Sequence, residues 1–165
     1  KGDFAYLGHW KNSFDVTPNI AGQIGLSGAV GFNDTTPGNI TQIYGADLYL
    51  RWKPSERRGL KWQTEYFLRR LEDGAANPVE GGLYSQLIWQ FARRWETGIR
   101  AERIGLPEDG FGRWGLSPQI TFVATEFFHL RGQYNWVHTN GTNKEQHEAF
   151  LQIQFNMGPH GAHSF

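Results

Sequence analysis

The chain of 165 residues has no cysteine and one methionine. Without cysteine there are no disulfide staples, no thiolate metal sites and no thiol nucleophile. Neither sign of charge is in excess, with Lys+Arg and Asp+Glu at 16 each. Dedicated nucleic-acid binders carry a basic excess, so no nucleic-acid partner is expected. No stretch approaches the roughly 18 consecutive apolar residues of a transmembrane helix. The opening residues, KGDFAYLGHW, lack the apolar core of a signal peptide. The expectation is that a leader was removed or that the chain begins partway into a gene product. Aromatic residues are abundant at 15%, with Trp at 7, and glycine reaches 21 residues. Aromatic- and glycine-rich sequence without long apolar runs suits a β-barrel.

The dominant period is two. From Ile20 to Phe32 the even positions are Ile20, Gly22, Ile24, Leu26, Gly28, Val30 and Phe32, against Ala21, Gln23, Gly25, Ser27, Ala29 and Gly31. One face is apolar and the other small or polar, the pattern of a strand between two different solvents. The same alternation runs over Gln42–Trp52, Leu60–Leu68, Leu83–Phe91, Trp95–Ala101, Trp114–Ala124, Phe128–Trp136 and Ala149–Met157, and less clearly over Phe4–Phe14. This predicts eight to nine strands (about nine), most of roughly 9–13 residues, where a tilted strand needs about 9–11 to cross a bilayer. Globular strands average about 5–6.

Long polar connections (33–41, 72–82, 104–112 and 138–146) alternate with short ones near residues 16–19, 54–59, 92–94 and 125–127. Outer-membrane barrels alternate long external loops with short periplasmic turns in this way. Aromatic residues sit in two bands, Phe14, Trp52, Trp62, Phe91, Trp95, Phe127 and Phe128 toward the short turns and Phe32, Tyr44, Trp114 and Trp136 toward the long loops. Such bands suit the two membrane interfaces. A soluble barrel with its apolar face inward has the same period, so parity alone does not separate inside from outside. A complete single-chain bacterial barrel has an even strand number with both ends periplasmic, and nine is odd; an open nine-stranded sheet would leave unpaired edges, which hydrocarbon does not tolerate. The expectation is therefore that these strands are part of a larger barrel. The alternative is a complete eight-stranded barrel in which residues 4–14 form a plug or loop.

The segments IYGADLYLRWKP, LKWQTEYFLRR, YSQLIWQFARRWETGIRAERIG, EFFHLRGQYNW and FLQIQFNMGPHGAHSF cover about two thirds of the chain. Through them the sequence resembles the C-terminal half of porin-like outer-membrane barrels of Gram-negative bacteria. The nearest groups are phosphate-selective porin O/P-like and zinc-regulated outer-membrane receptor-like proteins. The resemblance implies an antiparallel, up-and-down transmembrane β-barrel over residues 1–157 and a periplasmic tail over 158–165. It further implies localisation in the bacterial outer membrane, contact with its lipid, and delivery by the barrel-assembly machinery. A homo-oligomer or a larger membrane assembly is compatible with it. Terminal Phe165 looks like the assembly signal of such barrels, although the alternation stops at Met157 and GPHGAH intervenes.

On the polar face, Arg51, Lys61, Arg69, Arg94, Arg100, Arg113 and Arg131 are the candidate lumen and selectivity residues, with Asp47, Glu65, Glu96, Glu102 and His129 beside them. Rings of Arg and Lys favour anions in a pore, and Arg binds carboxylate or phosphate with a planar fork. Against this, Arg94, Glu96, Arg100 and Glu102 invite mutual neutralisation across strands. His160 and His163 are weak metal candidates, because two ligands fall short of the four a structural zinc takes. No metal and no cofactor is therefore expected. Ser85 and Ser117 have no His/Asp partner at recognisable spacing, and Glu96 and Glu102 stand among arginines that keep them ionised. No phosphate loop, HExxH or EF-hand pattern occurs, so no enzyme is expected. Three functions stay open: a porin-like channel for small hydrophilic solutes with a possible anion bias, a structural or partner-binding barrel with a closed lumen, and a soluble ligand-binding barrel.

Overall fold

The computed structural model describes residues 4–33, 36–74, 77–107, 112–125, 127–142 and 144–156. Nine strands form one antiparallel up-and-down sheet in the order β1 to β9. They are β1 (Ala5–Thr17), β2 (Ile20–Phe32), β3 (Ile40–Ser55), β4 (Arg58–Leu71), β5 (Val79–Ala92), β6 (Trp95–Leu106), β7 (Arg113–Thr125), β8 (Phe128–Thr139) and β9 (Lys144–Phe155). Each strand is hydrogen-bonded only to its sequence neighbours, so the sheet is open, with β1 and β9 as its edges. The first segment is a full strand paired with β2 rather than a plug, which removes the complete eight-stranded alternative for these residues. No helix among the described residues is long and apolar enough to cross a membrane.

The period-two pattern becomes two continuous faces. Register places Ile24, Leu48, Thr64, Ser85 and Ala101 abreast on one face, and Gly25, Asp47, Glu65, Tyr84 and Glu102 abreast on the other. Among the described residues no hydrophobic side chain is buried; Leu87 is 41% exposed, Trp89 51% and Leu26 56%. A soluble sandwich or barrel places such a face against a second layer. Here there is one layer.

The polar face is the more crowded. Buried Ser117 and Thr121 both lie on it. A Cβ at Gly25 would overlap the Asp47 carboxylate, and one at Gly45 would overlap the Ser27 hydroxyl. On the apolar face a Cβ at Gly8 would meet nothing within 4 Å and one at Gly132 nothing nearer than 3.8 Å; Gly22, beneath the Phe14 ring, and Gly81, against the Phe67 carbonyl, are exceptions. Side chains that converge on one face and diverge on the other are those of a sheet curled toward its polar side.

The four short connections share one construction. Thr17, Ser55, Ala92 and Thr125 pair with Ile20, Arg58, Trp95 and Phe128, so two residues form each turn. Beside each turn the incoming strand carries one residue more than its partner, a bulge that increases local twist. Thr17 and Thr125 fix their turns by accepting a backbone hydrogen bond from the residue two positions on, at 3.3 and 3.2 Å. The turns are also stitched to the following hairpin. The carbonyls of Asn19, Arg94 and Phe127 accept from the backbone N–H of Lys53, Val123 and Asn156 at 2.8–2.9 Å.

The opposite connections are shorter than expected. The loop expected over 138–146 shrinks to 140–143, because His138 pairs with Glu145 and Thr139 with Lys144. Gly141, at φ 81°, makes the reversal in the left-handed region that favours glycine. The Lys144–Glu148 stretch is polar on both faces, so it carries no period for sequence to reveal, and backbone pairing alone makes it a strand. Likewise β5 begins at Val79 and β6 runs on to Leu106. Asn33 and Asn39 tie the β2–β3 loop to Glu72, each donating a side-chain hydrogen bond to its carbonyl at 3.1 and 3.2 Å.

Candidate functional site: the polar face

Six of the seven expected basic residues stand on the polar face. Arg51 and Lys61 face each other across β3 and β4, and Arg69 faces Glu80. Arg100 lies between Gln86 and Ser117, Arg113 opposite Ile104, and Arg131 opposite Thr121. Arg94 is not on the face; it is exposed in the turn 93–94. Phe165, His160 and His163 lie outside the described residues.

Register also brings to this face the acids Asp15 and Glu80, which the alternation did not reach, together with Glu148, which stands opposite the apolar residues of the Ala149–Met157 run. Together with Asp47, Glu65, Glu96 and Glu102 they make seven carboxylates. Lys11 and Lys144 bring the cations to eight. The expected basic excess is therefore a near balance, because Asp15 and Glu80 sit near strand ends where the apolar alternation fades. Pairing follows. Lys61 Nζ lies 3.2 Å from Glu96 Oε1, and Arg100 lies 2.8 Å from Glu102 Oε2. Arg69 pairs with Glu80. Arg131 Nε donates to Thr121 Oγ1 at 3.2 Å, and Arg113 donates to Gln146 Oε1 at 3.0 Å. Arg51 has neither an ion pair nor a hydrogen bond from its side chain among the described residues.

Charge is sorted by level. Asp47 and Glu65 face each other two pleat periods away from the facing bases Arg51 and Lys61, with the Tyr49–Gln63 pair between. Like charges directly opposite are destabilising, so each row relies on neighbours. Tyr84 is the hub of the acidic row, and it had not been singled out from sequence. Its hydroxyl donates to Glu65 Oε2 at 2.7 Å and accepts from Gln63 Nε2 at 2.8 Å. Arg100 stacks over its ring, 4.6 Å from the centroid. The only sequence signal was its parity with Gln86 and Gln90. Arg100 Nε is buried without a hydrogen-bond partner among the described residues.

The histidines divide between the faces. His9 and His129 are on the polar face, and His138 and His147 on the apolar one. His138 and His147 flank Glu145, at 3.9 and 3.7 Å, beside the Trp114–Trp136 pair whose rings are 4.6 Å apart. Among the described residues no group of three His, Cys, Asp or Glu could hold a metal. The apolar face keeps its aromatic band at the short-turn end, where Trp95 meets Phe122 at 4.8 Å and Phe128 meets Phe155 at 4.9 Å.

No family model matches the sequence, and no solved structure matches it. The chain is similar to an uncharacterized protein of Aquifex aeolicus (strain VF5), at 29% identity over 197 residues that take in 97% of this chain. The chain spans 40% of the length of that curated relative.

Proposed function

We propose that the sheet is part of a transmembrane β-barrel of a bacterial outer membrane, and that its polar face lines a porin-like route for passive diffusion of small hydrophilic solutes. The observation that carries this reading is a nine-stranded sheet with one apolar face and no buried hydrophobic side chain among the described residues. Lipid supplies the missing apolar layer without a second sheet. Strands of 12–16 residues exceed the roughly 9–11 needed to span hydrocarbon. The crowded polar face supports the same orientation, with polar side chains inward. The resemblance to phosphate-selective porin O/P-like and zinc-regulated receptor-like barrels agrees with it.

Closure is part of the proposal. Unpaired backbone groups on β1 and β9 would each cost several kcal/mol in hydrocarbon, so further strands must pair with both edges. The length of the Aquifex relative leaves room for them in one polypeptide. The lumen wall is nearly neutral, so anion bias is a local effect of the Arg51–Lys61 row rather than of net charge. Planar-bilayer current with the intact protein under a KCl gradient tests this. Stepwise conductance is expected, and a silent bilayer with insertion verified would refute it.

One observation favours a second reading, a barrel whose lumen encloses another segment or protein. Leu7, Ala29 and Ile43 stand abreast on the polar face, with Phe67 one level below. Leu7 is 79% exposed, and Ile43 and Phe67 are 41% and 43% exposed. Copurification of a partner with an insulating barrel would support that alternative.

A further inference from the structure

Arg51 shares a register row with an acid. Ala21 of β2 pairs with Asp15 on one side and Arg51 on the other. Two ladder spacings of about 4.8 Å place the Asp15 and Arg51 backbones about 10 Å apart. Only a methyl group stands between them, so the space above Ala21 is open. A cleft of about 310 Å³ lies there, with Asp15, Arg51, Tyr49 and Gln23 among its walls.

The two charges are uncommitted. Neither side chain has an ion pair or hydrogen bond among the described residues, whereas Lys61, Arg69 and Arg100 each hold a carboxylate. Being two strands apart, they face each other across the cleft without touching. Gln23 Nε2 donates to Ser13 Oγ at 3.0 Å, which leaves the Gln23 amide oxygen free to accept a hydrogen bond. One end of the cleft therefore accepts hydrogen bonds and is negative, and the other donates them and is positive.

We propose that this cleft binds a small zwitterionic solute of the α-amino-acid class, its ammonium on Asp15 and its carboxylate on Arg51. Arg presents its planar fork to the carboxylate, and the acid carboxylate pairs with the ammonium. A simple anion would leave Asp15 unanswered, and a simple cation would leave Arg51 so. This deepens the channel reading by naming a substrate class, and it rests on that reading in requiring a water-filled polar face.

The test is binding of L-serine to the intact protein in detergent, measured by saturation-transfer NMR beside lactate, which lacks the ammonium, and ethanolamine, which lacks the carboxylate. Serine is expected to bind more tightly than either. Arg51→Gln and Asp15→Asn are each expected to weaken serine about tenfold, the scale of one charge-assisted hydrogen bond. The exchange Asp15→Arg with Arg51→Asp keeps both charges and is expected to restore serine binding to within a few-fold. Serine binding no better than lactate or ethanolamine, or unaffected by either single substitution, would overturn the proposal. Conductance is read separately in a bilayer. Current without serine preference overturns the cleft alone, and serine binding with a silent bilayer supports the cleft while overturning the channel.

Discussion

Replacing Leu87 with arginine probes which solvent meets the apolar face. Leu87 sits opposite Trp62 and Ile99 on that face, five residues before β5 ends at Ala92. A strand rising about 3.3 Å per residue and tilted about 40° gains about 2.5 Å of height per residue, so Leu87 lies about 13 Å above the short-turn end. That is near the middle of an apolar band about 25 Å tall. Arginine at such a depth costs about 2–4 kcal/mol, or roughly 30- to 900-fold in the folded-to-unfolded ratio. The control is Gln86→Arg, one residue away on the polar face. Gln86 faces Arg100 and Gln63, so the control incurs mainly like-charge repulsion, within about 1 kcal/mol. Urea unfolding of the intact protein in lipid vesicles, followed by Trp fluorescence, reads both variants. Equal losses at the two positions, or tolerance of arginine at 87, would refute the assignment of faces.

Three further outcomes follow from the polar face. Gly25→Val is expected to destabilise by about 1–3 kcal/mol, because its Cβ overlaps the Asp47 carboxylate, and Asp47→Gly should recover part of the loss in the same unfolding assay. Tyr84→Phe removes the hydroxyl shared by Gln63 and Glu65 and should cost about 1 kcal/mol; no change would remove Tyr84 as the hub. A double-mutant cycle on Lys61 and Glu96 should give a coupling below about 1 kcal/mol, because Lys61 is 42% exposed, and a larger value would indicate a drier polar face.

Much of this architecture is legible in the sequence, and the reasons differ by element. In β2 and β3 the two faces meet different surroundings over the whole strand length, so alternation from Ile20 to Phe32 and from Gln42 to Trp52 reports the strand directly. The end of β8 and the start of β9 do not alternate, and only the pairing of His138 with Glu145 reveals them. Glu80 was hidden because the Pro78–Gly82 stretch around it holds two glycines and no run of alternating residues. Tyr84 is visible in sequence as a polar-face residue, but its role depends on Glu65 and Arg100 from neighbouring strands. Arg51 and Asp15 are separated by 36 positions in sequence and by one strand in space, so register alone brings them to one cleft.

The most direct test of the central claim is spin-label accessibility along β5 of the intact protein in lipid vesicles. Single labels at 83, 85, 87 and 89 are predicted to collide preferentially with oxygen, and labels at 84, 86, 88 and 90 with a water-soluble nickel chelate. A period-two alternation in that phase places the apolar face in lipid and the polar face in water. The opposite phase, or no alternation, would contradict a membrane barrel lined by this sheet.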